Sequence, residues 1–335
     1  MKKVAIIGAG LQAKRRVPAI LEDKDYKIKW VVDRNEGKAK KLSQQCDAQY
    51  STDWKMAIED KDIDIVLVLT YPDSHATISI AAMKNGKDVL CEKPLARTEK
   101  EAQMMIKVAK ETKQILKCGF NHRHHPAVLQ AYRLFKENLI GKAIFGRGRY
   151  GIAGRQGLEK EWRSDPKIVS GGQLMEQGIH LVDLYRWFLG EISKVTGFVS
   201  TNYWPMQPLE DNGFALLQTK ENVNISIHSS LTQWTNLFEF EIYGEKGSIL
   251  VQGLGGTYGV EKLILSIHDP NGPFSHKTTE FRGADISWKN EWKEFTQALE
   301  SRKQPLGNGN DGLKAMEIIN GVYQSSKTDK AVKIK

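Results

Sequence analysis

A chain of 335 residues is long enough for two domains or one large one, and 40% hydrophobic with 27% charged residues is ordinary for a globular protein. No apolar run reaches the roughly 18–20 residues of a membrane-spanning helix, so no membrane association is expected. The formal net charge of +9 comes from scattered lysines without an aromatic–basic repeat, which argues against nucleic-acid binding.

The chain has three cysteines, Cys46, Cys91 and Cys118. Two of them fall inside predicted buried strands, and so small a number gives no disulfide framework. A reducing cytoplasm is the expected location. The start of the chain superficially resembles a secretory signal, but the apolar stretch Val4–Ala13 is short and broken by glycine, so we interpret it as a first strand.

Up to about residue 120, apolar strands alternate with amphipathic helices. Near-continuous apolar strands separated by helices are typical of a parallel sheet covered on both faces. Thr98 with Glu101 matches a capping box, Ser74 is predicted as another N-cap, and Gly86 as a helix end. The predicted strands are 4–7, 28–32, 63–69, 88–91 and 115–119, and the predicted helices are 11–22, 36–45, 74–85 and 98–112.

The first strand runs directly into a glycine-rich turn. Gly8 permits a tight turn, Gly10 lets the main chain approach phosphate oxygens, and the small Ala13 allows close packing of helix and strand. Asp33 ends the second strand, 23 residues after Gly10 and near the roughly 20 expected for an acid that contacts a ribose. This arrangement predicts a dinucleotide site.

After residue 120 the pattern changes to longer alternating segments, which are typical of antiparallel strands with one solvated face. We therefore predict a first domain at 1–120 and a second at 121–335, with the last helix as a candidate to pack back on the first domain. The predicted helices are 126–138, 173–189 and 311–325, and the predicted strands are 143–152, 193–202, 213–219, 223–231, 236–243, 247–252 and 261–268.

Two strand ends in the first domain carry further candidate residues. Thr70-Tyr71-Pro72 follows the central strand at the edge where an open α/β sheet places its ligand, although an ordinary strand-to-helix turn is the alternative. His75 either meets a cofactor hydroxyl or bonds the helix end. At the next strand end, Lys93 is predicted to act on a developing anion and Glu92 to accept from ribose hydroxyls.

A third candidate group lies on the helix predicted at 173–189. Glu176, His180 and Asp183 are spaced by four and three residues and project from one face. A carboxylate beside an imidazole suits a general base that works near neutrality, while a satisfied buried histidine is the alternative. Gly178 costs helix stability, which indicates that something packs against this turn.

These stretches form a set of motifs that extends over nearly the whole chain. They are Gly-x-Gly-x-x-Ala at 8–13, Thr-x-Pro-x-x-His at 70–75, Glu-Lys-Pro at 92–94, Gly-Phe-Asn at 119–121, Gly-Gly-x-x-x-x-x-Gly-x-His at 171–180, Gly-Glu-Lys-Gly-Ser at 244–248 and Asp-Gly at 311–312. The set resembles the Gfo/Idh/MocA family of nucleotide-dependent sugar oxidoreductases.

The resemblance implies a Rossmann domain, meaning a doubly wound parallel sheet, and then an α/β domain with a large open, mainly antiparallel sheet. That sheet is commonly the oligomer surface, so a homodimer or homotetramer is expected. The resemblance also implies catalytic roles for Lys93, Glu176 and His180, although the family usually has aspartate where Glu176 stands. The predicted cofactor contacts are Gly8, Gly10, Leu11, Gln12, Asp33, Arg34, Thr70, Tyr71, Pro72, His75, Glu92, Lys93 and Asn121.

The predicted reaction moves a hydride between the nicotinamide and a CH–OH or C=O carbon of a sugar. Asp33 favours NAD because its charge repels a 2′-phosphate, and Arg34 beside it keeps NADP as the alternative. No spacing resembles a standard zinc site, and no metal is predicted. The predicted substrate contacts are His122, Arg123, Tyr150, Arg163, Glu176, His180 and Trp234.

The identity of the sugar is open. Arginines at 147, 149, 155 and 163 suggest an anionic or nucleotide-linked sugar, with a solvated strand edge as the alternative. Trp162 and Trp234 are candidates to stack on a sugar ring or to fill core. Competing functions are a glycosidase that uses NAD for transient oxidation, a non-catalytic NAD(P)-binding regulator, and a reductase of a non-sugar carbonyl. Retention of Lys93 and His180 favours an enzyme.

Overall fold

The computed structural model describes residues 1–334, which divide into two compact units. The first unit contains Met1–Asn121, Lys167–Ser170 and Trp288–Leu313. The second unit contains the rest of the described chain. The first unit is therefore assembled from segments that are far apart in sequence.

A six-stranded parallel sheet forms the centre of the first unit, in the strand order β3-β2-β1-β4-β5-β6. The order reverses between β1 and β4, which is the doubly wound arrangement of a Rossmann fold. The elements are β1 (Lys2–Ile7), α1 (Leu11–Leu21), β2 (Tyr26–Val32), α2 (Glu36–Cys46), β3 (Gln49–Ser51), α3 (Trp54–Glu59), β4 (Ile65–Val68), α4 (Pro72–Lys84), β5 (Asp88–Cys91), α5 (Glu99–Thr112) and β6 (Leu116–Cys118).

Of the two N-caps predicted in the first unit, the structure confirms one. Thr98 and Glu101 form the predicted capping box at the start of α5. The N-cap predicted at Ser74 is wrong, because α4 begins at Pro72 with Tyr71 as its N-cap. Proline is favoured in the first turn, where its missing N–H would have no helical partner. Strand β3 and helix α3 were not predicted from the sequence.

One further helix, α8 (Ser287–Ser301), was not predicted. From Trp288 onward it belongs to the first unit. Trp292, Phe295 and Leu299 are buried in the same apolar cluster as β1 and β2. The Trp292 ring meets the Tyr26 ring edge-on, with centroids 5.0 Å apart. The spacing of these apolar residues is a helical one, so the signal was present in the sequence.

A nine-stranded sheet forms the second unit, in the order β14-β13-β12-β11-β7-β10-β9-β8-β15. The elements are α6 (Pro126–Lys136), β7 (Ala143–Ala153), α7 (Ile179–Leu189), β8 (Ile192–Ser200), β9 (Asn212–Thr219), β10 (Asn224–Ser230), β11 (Thr232–Gly244), β12 (Gly247–Gln252), β13 (Glu261–Ile267), β14 (Ser275–Phe281) and β15 (Val332–Lys333), and α9 (Gly309–Thr328) begins in the first unit and ends in the second.

Only the pairing of β7 with β10 is parallel in this sheet, so the predicted open, mainly antiparallel sheet is confirmed. The helix predicted at 173–189 is wrong at its start, where Leu174–Gly178 forms a π-helical turn that precedes α7. Strands β14 and β15 were not predicted. Among residues 1–334, no helix combines the length and the apolar character needed to cross a bilayer.

The docking of α8 is testable by a single truncation. Phe295 is fully buried, so replacing it by alanine should lower the free energy of unfolding by about 3–5 kcal/mol, measured by urea denaturation. Phe274, which is 66% exposed, is the matched control, and its replacement by alanine should cost less than about 0.5 kcal/mol. Equal effects of the two changes would contradict the packing of α8.

Candidate active site

The turn between β1 and α1 lies where the strand order of the first unit reverses. Gly8 has a φ of +104°, and a Cβ there would lie 2.5 Å from the carbonyl oxygen of Leu69, so only glycine fits. Gly10, the N-cap of α1, is different, because a Cβ there would meet no protein atom within 4 Å. The turn therefore leaves open space beside a helix N-terminus, where N–H groups favour a phosphate.

The first two residues of α1 also fit a bound dinucleotide. Leu11 is an exposed apolar side chain, which a ligand on the turn would cover. The Oε1 atom of Gln12 is buried without a hydrogen-bond partner. Buried polar atoms are normally satisfied, so this oxygen is suited to a hydroxyl of the ligand.

Asp33 lies against the glycine turn, as predicted. Its Oδ2 accepts a hydrogen bond from the Ala9 N–H at 2.8 Å, and its Oδ1 accepts one from the Asn35 N–H at 2.8 Å. The carboxylate thus ties the end of β2 to the turn. The Arg34 guanidinium lies over the Tyr71 ring, 5.4 Å from its centroid. The structure therefore brings these predicted cofactor residues together.

The loop after β4 is held by two side chains. The Ser74 hydroxyl donates to Thr70 Oγ1 at 2.8 Å. The His75 ring is buried between two backbone carbonyls, with Nδ1 2.9 Å from the Pro94 oxygen and Nε2 3.1 Å from the Thr70 oxygen. Burial lowers the pKa of His75. His75 thus connects the loops after β4 and β5. Neither carbonyl belongs to α4, so the predicted alternative of a bond to the helix end is wrong, and a cofactor contact stays a prediction.

Glu92 belongs to a buried network of charges in the first unit. Its Oε1 lies 2.7 Å from Arg16 Nε, and its Oε2 accepts from the Lys93 N–H at 3.3 Å. Arg16 also donates to Glu291 on α8 at 2.5 Å. Burial lowers the pKa of Arg16, but Glu291 and Glu92 raise this pKa by more than burial lowers it. The guanidinium therefore stays charged.

These contacts change the interpretation of Glu92. Protein donors engage both of its carboxylate oxygens, so its role in the structure is to hold the backbone that carries Lys93. Acceptance from ribose hydroxyls stays a prediction. Lys93 itself is half-buried, directly after the end of β5, where the ligand of an open α/β sheet is expected. Asn121 is buried at the start of a short 3₁₀ turn, Asn121–His124.

In the second unit, His180 lies in the first turn of α7. Its imidazole stacks on that of His122, with centroids 3.7 Å apart and the planes inclined by 18°. The His122 Nε2 lies 3.1 Å from the Tyr150 hydroxyl, and all three side chains are buried. Three predicted substrate contacts thus form one polar cluster. His122 and Tyr150 share a hydrogen bond along which a proton can move, and His180 contacts His122 through its ring face.

The three residues predicted on one helix face have different partners. Asp183 accepts two hydrogen bonds from Arg123, at 2.8 and 2.6 Å, so this buried pair is bidentate. Glu176 lies in the π-helical turn, where Oε1 is 3.5 Å from Arg163 Nε.

Gly178 packs against neighbours, as predicted. A Cβ at Gly178 would lie 2.8 Å from Leu174 Cδ1 and 3.2 Å from Ser229 Cβ. The helical segment therefore touches β10 at the turn that carries His180. Glycine is required there by contact and not by backbone conformation.

Among the remaining histidines of the 121–125 stretch, His125 pairs with a buried carboxylate. His125 Nδ1 lies 3.0 Å from Glu261, whose other oxygen accepts from the Ala127 N–H at 2.6 Å. His124 is buried. Within residues 1–334, no three His, Cys, Asp or Glu side chains are grouped so as to hold a metal ion.

The four arginines that suggested an anionic sugar all have carboxylate partners in the structure. Arg147 and Arg149 lie on an exposed strand face and pair across to Glu241 and Glu239 of β11. Arg155 pairs with Glu161, and Arg163 stacks on Trp162 and faces Glu161 and Glu176. Every one of these arginines already has a carboxylate partner. Trp234 is 60% exposed, and its ring meets Tyr203 with centroids 4.9 Å apart.

Several supporting residues were missed because no motif marks them. Glu261 and Glu291 are buried carboxylates, and Lys117 is a fully buried lysine that pairs with Glu294 at 3.0 Å. Tyr258 meets the Tyr150 ring, with centroids 5.5 Å apart. Such residues are recognisable only from the fold, since charged residues in a sequence are mostly solvated.

The fold and the glycine turn define a two-unit protein with a dinucleotide-binding Rossmann sheet. Comparison with known families assigns residues 2–120 to "Oxidoreductase family, NAD-binding Rossmann fold" and residues 128–250 to "GFO/IDH/MocA C-terminal domain". The chain belongs to the Gfo/Idh/MocA oxidoreductase family, and its first domain is an NAD-binding one.

Similar proteins of known activity act on sugars and related compounds. Levoglucosan dehydrogenase of Pseudarthrobacter phenanthrenivorans is 35% identical over 171 residues, which are 50% of this chain and 44% of that protein. The 1,5-anhydro-D-fructose reductase of Ensifer adhaerens is 26% identical over 83% of this chain and 81% of its own. A solved levoglucosan dehydrogenase in complex with NADH and levoglucosan shares the fold, with a TM-score of 0.93 over 100% and 99% of the two chains at 23% identity.

The two glycines of the turn should respond differently to alanine. Gly10→Ala should keep the melting temperature and weaken NADH binding by about tenfold or more, because the methyl group fills the space left for phosphate. Gly8→Ala should lower the melting temperature itself, because the methyl group meets Leu69. Thermal unfolding and NADH fluorescence titration measure both. Unchanged NADH binding in Gly10→Ala would contradict the assignment of the turn.

Proposed function

We propose that the protein is an NAD-dependent dehydrogenase or reductase that acts on a CH–OH or C=O carbon of a sugar. Its family and the names of its relatives support this activity. The observation that carries the chemistry is the buried cluster of His180, His122 and Tyr150, in which two imidazoles stack and one meets a phenol. The nicotinamide, when bound, supplies the hydride acceptor or donor.

The side chains divide the remaining work. His180 removes the proton of the substrate hydroxyl, and His122, stacked on its ring and hydrogen-bonded to Tyr150, holds its orientation. The Lys93 ammonium stabilises the oxygen as it becomes negative. Glu176, paired with Arg163, orients His180 or grips a neighbouring hydroxyl. In the reverse direction His180 returns the proton.

NAD is the cofactor that the Asp33 carboxylate favours, since a 2′-phosphate placed beside it would be repelled. Arg34 is engaged with the Tyr71 ring, which weakens the case for NADP. A direct titration with NADH and NADPH separates the two cofactors. Tighter binding of NADPH would reverse this assignment.

A neutral sugar or polyol is the substrate class that we propose. The four arginines that suggested an anionic sugar are each paired with a glutamate, and these carboxylates offset the positive charge that would attract an anion. The named relatives act on levoglucosan and 1,5-anhydro-D-fructose. Tyr203 and Trp234 provide exposed rings of the kind that stack on sugars.

The activity is tested by NADH formation with a panel of free, anhydro and nucleotide-linked sugars and polyols. Replacing Lys93 by Met should lower kcat about 100-fold or more, because the charge that stabilises the developing anion is lost. NADH affinity should change little, since the glycine turn remains.

Lys100→Met, a change at an exposed lysine on α5, is the control and should keep full turnover. Full turnover by Lys93→Met would refute the role of Lys93. Cleavage of a glycoside without net NADH formation would show the transient-oxidation mechanism, and NADH binding without any turnover would show a regulator.

We further propose self-association through the outward face of the nine-stranded sheet. The sheet register places Phe198, Phe214 and Leu216 on this face, at 68%, 50% and 57% exposure. A hollow of about 520 Å³ lies beside them, lined by Arg149 and His228 among others. A large apolar patch framed by charges is typical of a protein interface. A homodimer or homotetramer is the assembly that we expect.

Replacing Phe214 by Asp should dissociate this assembly into monomers, because each interface would bury an unpaired charge. Light scattering coupled to gel filtration measures the mass. Phe274→Asp, at an exposed phenylalanine outside the sheet, is the control and should leave the assembly intact. A monomeric unmodified protein would contradict the proposal.

A cytoplasmic location is also proposed. Its support is that the three cysteines are free and buried, which is ordinary for a protein made in a reducing compartment.

A further inference from the structure

The two glycines before the π-helical turn are explained by what lies against them. A Cβ at Gly171 would collide with the Tyr323 hydroxyl, and a Cβ at Gly172 would collide with the Glu210 backbone oxygen and lie 2.6 Å from its Oε2. Both glycines therefore make room for one pair of polar side chains, Glu210 and Tyr323. All four residues belong to the second unit.

Glu210 binds the start of the helical segment from several sides. Its Oε2 accepts from the Gly172 N–H at 2.9 Å, and its Oε1 accepts from the Leu174 N–H at 2.9 Å. Its backbone oxygen accepts from the Gln173 N–H at 3.0 Å. Three successive N–H groups that a helix start leaves without helical partners thus all bond to Glu210. A carboxylate at this end also interacts favourably with the helix dipole.

Tyr323 of α9 completes the pair. Its hydroxyl donates to Glu210 Oε1 at 2.8 Å. Burial raises the pKa of Glu210, and the hydrogen bonds from Tyr323 and the backbone N–H groups oppose this. The opposite side of the turn is held by Ser229, whose hydroxyl donates to the Gln173 oxygen at 3.1 Å. The backbone of the turn is therefore fixed on both sides.

Glu176 and His180 lie further along the same helical segment, in the π-helical turn and in the first turn of α7. We propose that Glu210 and Tyr323 form a positioning pair that sets the orientation of these two side chains for proton transfer. The proposal rests on the proposed function, in which His180 is the base. Neither Glu210 nor Tyr323 needs to touch substrate, because a small shift of the turn is enough to misplace a catalytic group.

Asp211 provides a matched control at the next position. It is a buried carboxylate that accepts from the N–H groups of Asn202, Tyr203 and Trp204, at 3.0, 2.8 and 2.9 Å. It therefore fixes backbone by the same chemistry as Glu210, but the backbone that it fixes is the 202–204 loop. A purely structural role predicts equal effects of removing the two charges.

The test compares Glu210→Gln, Tyr323→Phe and Asp211→Asn. Glu210→Gln should lower kcat about tenfold or more and move the pH midpoint of kcat, because an amide cannot accept from both N–H groups. Tyr323→Phe should act in the same direction and less strongly. Asp211→Asn should lower the melting temperature and raise the KM for the sugar, because the loop that it fixes carries Tyr203, while kcat stays within about twofold. NADH affinity should be unchanged in all three.

A second readout does not require turnover. The ring resonances of His180, assigned by comparison with His180→Asn, should titrate at a different pH in Glu210→Gln and at the unmodified pH in Asp211→Asn. Equal kcat, pH profile and His180 titration in these two variants would overturn the proposal. If no sugar is turned over, the proposed function fails, and the His180 titration still decides this inference. If Glu210→Gln does not fold, an unchanged His180 titration in Tyr323→Phe overturns it.

Discussion

The nucleotide-binding turn depends on a close contact between the turn after β1 and the strand end after β4. The backbone of Gly8 lies so near the Leu69 carbonyl that no side chain fits between them. This contact places the glycine turn at the reversal of strand order, which is where a doubly wound sheet leaves a crevice. The Ala9 N–H then meets the Asp33 carboxylate, and α1 points its N-terminus into open space. The position of the nucleotide-binding turn therefore depends on the absence of a side chain at Gly8.

Short-range features of the chain were predictable from sequence because their causes are local. The glycine turn, the individual apolar strands and the capping box of Thr98 with Glu101 are each encoded within a short segment. The family motifs likewise lie in short segments. For the outward sheet face, the sequence predicted only that an open sheet exists. Which residues lie on that face depends on the strand register.

Features that depend on contacts distant in sequence were not predictable. The pairing of Arg147 with Glu241 requires the register of β7 with β11, over 94 positions of sequence. The π-helical turn requires Glu210 at its start and Ser229 beside Gly178. The sequence pattern alone favoured a regular helix there. Sequence could therefore nominate His180 and Glu176, while their partners came from the three-dimensional arrangement.

The position of α8 has a consequence for biosynthesis. Arg16 and Lys117 are synthesised early and are buried with carboxylates on α8, and Phe295 fills the apolar cluster beside β1 and β2. Until this helix has been synthesised, Arg16 and Lys117 lack those carboxylates. The apolar surface beside β1 and β2 is also uncovered until then. Completion of the Rossmann sheet thus waits until Ser287–Ser301 has been translated, and a fragment ending at residue 120 lacks the helix that covers it.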